Sequence, residues 1–213
     1  MRLGRLFVVA VCLCLPRGAT GQVPDFSSRL DDATRAAVQP TLDAAARDSL
    51  PMRALQSKVL EGLAKNVAPA QIGQVVETLA DELRSARAAL RSELRDVPFD
   101  QGEIVATASA ARQGIGYETI LTLWEARTDR QSLEIPVTIL SELVRRGVPV
   151  TDASALVAHV VRTSVPIQVA AQIPGKFDGA LSNGAPPRGA LAEALRVLDI
   201  PVPPNRPVGV PNR

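Results

Sequence analysis

The chain has 213 residues, of which 46% are hydrophobic and 22% are charged, a composition typical of a globular protein. One His and two Cys are too few for a zinc site built from several His and Cys ligands, or for a framework of several disulfides. The formal charge of +2 is far below the balance expected of a nucleic-acid-binding protein, so no nucleic acid is predicted as a partner.

The first 21 residues have the layout of a secretory signal peptide. Arg2 and Arg5 precede an apolar stretch at 6–15, which is followed by the small residues Ala19, Thr20 and Gly21. This stretch has about half of the ~20 apolar residues that a helix needs to cross a bilayer. We therefore predict cleavage near Gly21, no transmembrane span, and export to the periplasm or the extracellular space.

Cleavage at this position would change the composition. It would remove Cys12 and Cys14, leaving 192 residues (213 minus 21) with 21 basic and 22 acidic side chains, a charge of −1. A lipoprotein is the alternative. It is disfavoured because Val11 and Leu13, which precede the two cysteines, are larger than the small residue expected before a lipid-modified cysteine.

From Ser27 to Arg196, apolar residues recur at spacings of three and four with almost no strict alternation, which predicts an all-α fold. The predicted helices are 28–47, 52–65, 69–95, 100–112, 117–127, 135–146, 150–162, 167–172 and 187–198. The predicted organisation is a helical domain at 22–172, a linker and small C-terminal helix at 173–198, and a Pro-rich disordered tail at 199–213.

Four joints between predicted helices share one pattern, a polar or small residue followed by Val or Ile and a short linker. They are Asn66-Val67-Ala68-Pro69, Gly114-Ile115-Gly116-Tyr117, Gly147-Val148-Pro149-Val150 and Ser164-Val165-Pro166-Ile167. Gly and Asn adopt the left-handed conformation that ends many helices, and Pro is favoured in the first turn of the next. We therefore expect tight corners in an irregular multi-helix bundle of tandem helical hairpins. A regular solenoid is not expected, because the corners recur at unequal intervals.

Two clusters of basic residues are candidates for binding or chemistry. Arg84, Arg87, Arg91 and Arg95 share one face of the longest predicted helix and are the candidate face for an anionic partner. A solvated flank of the helix is the alternative. Lys58, Glu61 and Lys65 share a face of the second helix, where a surface ion pair is favoured over a catalytic lysine.

His159 is the one side chain expected to titrate near neutral pH, so a hydrolase that uses it is conceivable. However, Asp152 is two helical turns away, about 10 Å, and no Gly-x-Ser-x-Gly sequence occurs. Trp124 and Tyr117 are seven residues apart on one helix face, either as part of the core or as the lining of a ligand groove.

Several corner motifs resemble those of a group of uncharacterised exported helical proteins of bacteria. They are Leu50-Pro51, Lys58-Val59-Leu60-Glu61-Gly62, Lys65-Asn66-Val67-Ala68-Pro69 with Ile72, Arg145-Arg146-Gly147-Val148-Pro149-Val150 and Gly184-Ala185-Pro186-Pro187. The resemblance implies no activity, cofactor or metal. The sequence thus predicts an exported, non-catalytic helical protein that binds a partner protein or an envelope polymer. An envelope hydrolase using His159 is the alternative.

Overall fold

The computed structural model describes residues 26–94, 98–128 and 131–201 of the chain. Within these ranges the protein is helical and contains no β-strand, which confirms the predicted all-α class. Its α-helices are α1 (Asp32–Arg47), α2 (Met52–Ala64), α3 (Pro69–Glu93), α4 (Gln101–Arg112), α5 (Tyr117–Ala126), α6 (Glu134–Arg145), α7 (Val150–Arg162), α8 (Ile167–Ala170), α9 (Ile173–Ser182) and α10 (Pro187–Val197).

A short 3₁₀ helix precedes α1 at the start of the described region. This helix, Phe26–Arg29, belongs to a compact unit that ends at Leu30, and a second unit begins at Asp31. The first helix was predicted to begin at residue 28, but α1 begins at Asp32. Asp31 caps it, because its carboxylate accepts the backbone N–H of Thr34 at 2.8 Å.

The prediction of a linker directly after residue 172 was wrong, because residues 173–182 form α9. Ile173, Phe177 and Ala180 lie at helical spacing and are buried, so the segment has one apolar face. Pro174 lies in the first turn, where its missing N–H is tolerated. α9 packs against α10 and α6.

The predicted corners are confirmed at all four joints and recur at three more. The last residue of each corner turn has a positive φ; these residues are Ser49, Asn66, Gly114, Gly147, Ser164, Gly184 and Asp199. The N–H of the following residue bonds back to the helix, as from Val148 to the oxygen of Leu143 at 3.0 Å. This is the Schellman motif, and its apolar residue is buried at Leu50, Ile115, Val148 and Ile200.

The disordered tail was predicted to start at residue 199, but Asp199 and Ile200 are ordered. They form the corner that ends α10, in which the N–H of Ile200 bonds the oxygen of Leu195 at 2.9 Å. The rest of the predicted tail, 202–213, lies outside the described residues, as does the predicted signal peptide.

Contacts between helices fix their relative directions. A Cβ on Gly73 of α3 would lie 2.9 Å from the backbone oxygen of Ala37 of α1. Further along, Arg84 Nε donates to Asp48 Oδ2 at 2.8 Å. In both pairs the second residue comes 36 positions after the first, so a step forward along α1 matches a step forward along α3. The two helices therefore run in the same direction. α4 packs against α6, and α5 against α7, which brings the region after α5 close to the end of α7.

Candidate functional site

The predicted arginine face is only partly available for binding. Arg84 pairs with Asp48 at 2.8 Å and with Asp81 at 2.7 Å, and its pKa is raised, mainly by the hydrogen bond to Asp48. Arg87 is half-buried and Arg91 is exposed, and neither forms an ion pair with a described residue. Arg95 lies outside the described residues. α3 therefore presents two guanidinium groups, one helical turn apart, that have no ion-pair partner in the described ranges.

Lys58, Glu61 and Lys65 form the surface ion pairs that their spacing predicts. The Glu61 carboxylate accepts from Lys58 Nζ at 2.6 Å and from Lys65 Nζ at 2.5 Å. These bonds lower the pKa of Glu61 to about 2. Both ammonium groups are paired, so the cluster is a stabilising feature of the surface of α2.

The groups that His159 would need for hydrolysis have other partners. Asp152 Oδ2 lies 3.5 Å from Arg188 Nε, and the Ser154 hydroxyl donates to the backbone oxygen of Thr151 at 3.1 Å. His159 itself is half-buried, and its Nε2 atom is shielded from solvent with no hydrogen-bond partner in the described part of the chain. Neither Asp152 nor Ser154 therefore forms a hydrogen bond with His159 Nε2 in the described part of the chain.

The two large aromatic residues of α5 have different surroundings. Trp124 is 6% exposed and belongs to the core, and its indole N–H has no acceptor among the described residues. Tyr117 is half-buried at a groove between α3 and α4, which is also lined by the ion pair of Glu82 and Arg112. Desolvation raises the pKa of the Tyr117 hydroxyl, and the charge of Glu82 adds to the effect.

A buried carboxylate that the sequence analysis missed lies at the start of α4. Glu103 Oε2 accepts the backbone N–H of Asp100, while Asp100 accepts the N–H of Glu103, each at 2.8 Å. Glu103 Oε1 accepts the N–H of Leu133, the residue before α6, also at 2.8 Å. One side chain therefore satisfies backbone donors at the starts of two helices.

Arg127 lies beside this carboxylate. Its Nη1 atom is 3.8 Å from Glu103 Oε1, and the Arg127 and Glu103 side chains are 10% and 3% exposed. The same Nη1 donates to the backbone oxygen of Gln131 at 3.2 Å. Among the described residues, the guanidinium is thus held by one hydrogen bond and by charge attraction to a carboxylate that is too distant for direct hydrogen bonding.

Arg127 also lines a small cleft, called the Arg127 cleft below. Its polar lining residues are Arg127, Gln131, Ser132 and Ser164. Its apolar lining residues are Leu133, Pro136, Val160, Val161, Val165 and Ile167. The Ser164 and Thr128 hydroxyl oxygens are 3.3 Å apart, so the region after α5 meets the corner after α7 beside the cleft.

The sequence contains a local signal for only part of this site. Asp100-x-x-Glu103 before an apolar helix is the pattern of a capping box, and it indicates that Glu103 points back at the helix start. The pairing of Glu103 with Arg127 and Leu133 joins residues far apart in sequence, and no motif encodes it.

Among the described residues, no group of three or more His, Cys, Asp or Glu side chains is placed to hold a metal ion. No described helix is long and apolar enough to span a membrane. No protein-family model matches the chain, and neither a curated protein nor a solved structure shows significant similarity to it.

Proposed function

We propose that this chain is an exported, non-catalytic helical protein that binds an anionic polymer of the cell envelope. Export is proposed from the arrangement of basic, apolar and small residues in the first 21 positions. The polymer would be a repeating anion, such as an acidic polysaccharide, and it would contact the longest helix.

The proposal rests on a difference in ion pairing between neighbouring arginines on α3. Arg84 is neutralised by Asp48 and Asp81, whereas Arg87 and Arg91 have no acidic partner in the described residues. These two side chains are separated by about 6 Å of helix rise, so they can contact successive charges of a polymer.

Binding of an acidic polysaccharide at two salt concentrations tests the proposal. The variant Arg87→Gln/Arg91→Gln should bind several-fold more weakly and show a flatter dependence on salt, because it displaces fewer counterions. The matched control is Arg53→Gln on α2, which also removes an exposed arginine without a described ion pair. Equal binding by the wild type and the double variant would refute the proposal that the polymer binds at this surface.

Export is tested separately by mass analysis of the mature N-terminus after cell fractionation. We expect a chain beginning near Gln22 in the periplasmic or extracellular fraction. A chain that retains Met1 in the cytoplasm would contradict the proposal.

The alternative function, an envelope hydrolase, requires His159 to take part in turnover. If any hydrolytic activity copurifies with the protein, His159→Ala should leave it unchanged under the binding proposal. Loss of that activity in a folded variant would favour the hydrolase.

A further inference from the structure

The Arg127 cleft combines an almost buried cation with hydrogen-bond donors for which no described residue supplies an acceptor. Arg127 has five N–H donors, and only Nη1 donates to a described residue. Its Nε and Nη2 atoms form the second edge of the guanidinium, which has no acceptor in the described ranges. This edge is the planar fork that binds a carboxylate through two parallel hydrogen bonds.

Glu103 does not occupy that fork. Its two oxygens already accept the backbone N–H groups of Asp100 and Leu133, each at 2.8 Å. The 3.8 Å separation from Arg127 Nη1 supplies charge balance and no direct hydrogen bond. Arg127 can therefore bind a second carboxylate without disturbing the cap of α4.

The charge of the site limits the ligand to a single negative charge. Glu103 balances Arg127, and both side chains are at least nine-tenths buried, so a ligand adds its charge to a neutral pair in a weakly screened environment. A dianion such as phosphate monoester would add a second, uncompensated charge. A carboxylate adds one and matches the shape of the fork.

The remaining walls of the cleft select an apolar body for the ligand. Val160, Val161, Val165 and Ile167 come from α7, the corner after it and α8, and Pro136 comes from α6. A short, branched aliphatic group would pack against this apolar surface.

We propose that the Arg127 cleft binds a monocarboxylate carried on a short branched aliphatic group. Two sources share this chemistry, a short branched fatty acid and the C-terminal carboxylate of a peptide that ends in Val, Leu or Ile. This site is separate from the proposed polymer-binding face on α3, so either proposal can fail alone.

Calorimetric titration of the full chain distinguishes the ligand sources. The probes are 4-methylpentanoate and acetyl-Val-Ile with a free C-terminus, each paired with its amide. At least one acid should bind saturably and at least tenfold more tightly than its amide, because the neutral amide cannot form two charge-assisted bonds. The acid that binds more tightly identifies the source. Absence of saturable binding by both acids, or equal binding of acids and amides, would overturn the proposal.

Variants then locate the site. Val161→Trp and Ile167→Trp each fill the cleft from a half-buried position and leave the pair of Arg127 and Glu103 intact. Each should weaken acid binding at least tenfold, and circular dichroism identifies the variant that keeps the fold. Arg127→Lys retains the charge but lacks the fork and should also bind more weakly. Arg162→Lys on α7, outside the cleft, is the matched control. Unchanged binding in the folded Trp variants would refute this location.

Discussion

Glu103 shows how one side chain can support several parts of a helical fold. Its carboxylate is 3% exposed, and it accepts backbone donors from Asp100 and Leu133 while lying near the Arg127 guanidinium. A buried carboxylate is costly unless its lone pairs are used and its charge is balanced. Here both conditions are met, and the carboxylate also lies at the positive end of the α4 dipole.

Removal of this carboxylate should therefore destabilise the protein strongly. Glu103→Ala leaves two backbone N–H groups without their acceptor and the Arg127 charge without its balancing carboxylate. We therefore expect a loss of about 3–5 kcal/mol in the free energy of unfolding. Urea denaturation followed by circular dichroism measures it. Glu125→Ala, an exposed change on α5, should stay within ~0.5 kcal/mol of the wild type. Equal stability of the two variants would contradict the role of Glu103.

The ion pairs of Glu61 should make the stability of the protein depend on pH in the acid range. Hydrogen bonds from Lys58 and Lys65 lower its pKa from 4.5 to about 2. Because the pKa is lower in the folded state, the stabilising contribution is fully present above about pH 4.5 and is lost as the pH falls towards 2. A ¹³C titration of the Glu61 carboxyl should give a midpoint near 2 in the wild type. In Lys58→Gln/Lys65→Gln the midpoint should return towards 4.5, and a wild-type midpoint near 4.5 would disprove the pairing.

Residue-scale features differ in how far the sequence could predict them. The ion pairs of Glu61 follow from spacings of three and four within one helix, so local geometry is sufficient to predict them. The neutralisation of Arg84 by Asp48 needs the parallel packing of α1 and α3, which no local pattern encodes. Contacts between distant residues therefore account for the site features that the sequence analysis missed.

At the scale of elements, the sequence predicted the corners between helices better than it predicted helices of low intrinsic propensity. Asn66, Gly114 and Gly147 can adopt a positive φ with little strain, so their sequence identifies the end of a helix. α9 contains Pro174, Gly175 and Gly179, whose intrinsic preferences oppose a helix. Burial of its apolar face overrides those preferences, and burial depends on helices elsewhere in the chain.

Close packing of α1 against α3 makes Gly73 a sensitive position. A Cβ there would lie 2.9 Å from the backbone oxygen of Ala37, which cannot move without moving α1. Gly73→Ala should therefore lower the free energy of unfolding by about 1–2 kcal/mol, even though alanine favours a helix. The matched change Gly179→Ala in α9 meets no atom within 4 Å and should stabilise by about 0.5–1 kcal/mol. Thermal unfolding of both variants measures the difference, and the same sign for both would contradict this account of the contact.

At the scale of the whole molecule, the main question is whether α9 and α10 unfold with the helices before them. The sequence predicted a boundary at 172, yet α9 packs against α6, and Arg146 at the end of α6 donates to Asp178 of α9 at 2.8 Å. Phe177 is fully buried in the same helix. Apolar burial together with a cross-helix ion pair favours one cooperative unit over a tethered C-terminal hairpin.

Phe177→Ala tests this cooperativity, since the change removes a large, fully buried side chain and should cost about 3–5 kcal/mol. If the unit is cooperative, native-state hydrogen exchange will report the loss in the slowest amides of α3 as well as in those of α9, because both exchange through global unfolding. Val197→Ala, at an exposed position on α10, should leave exchange in both helices nearly unchanged. Faster exchange confined to α9 and α10 would instead place a boundary of stability close to residue 172, where the sequence predicted the end of the domain.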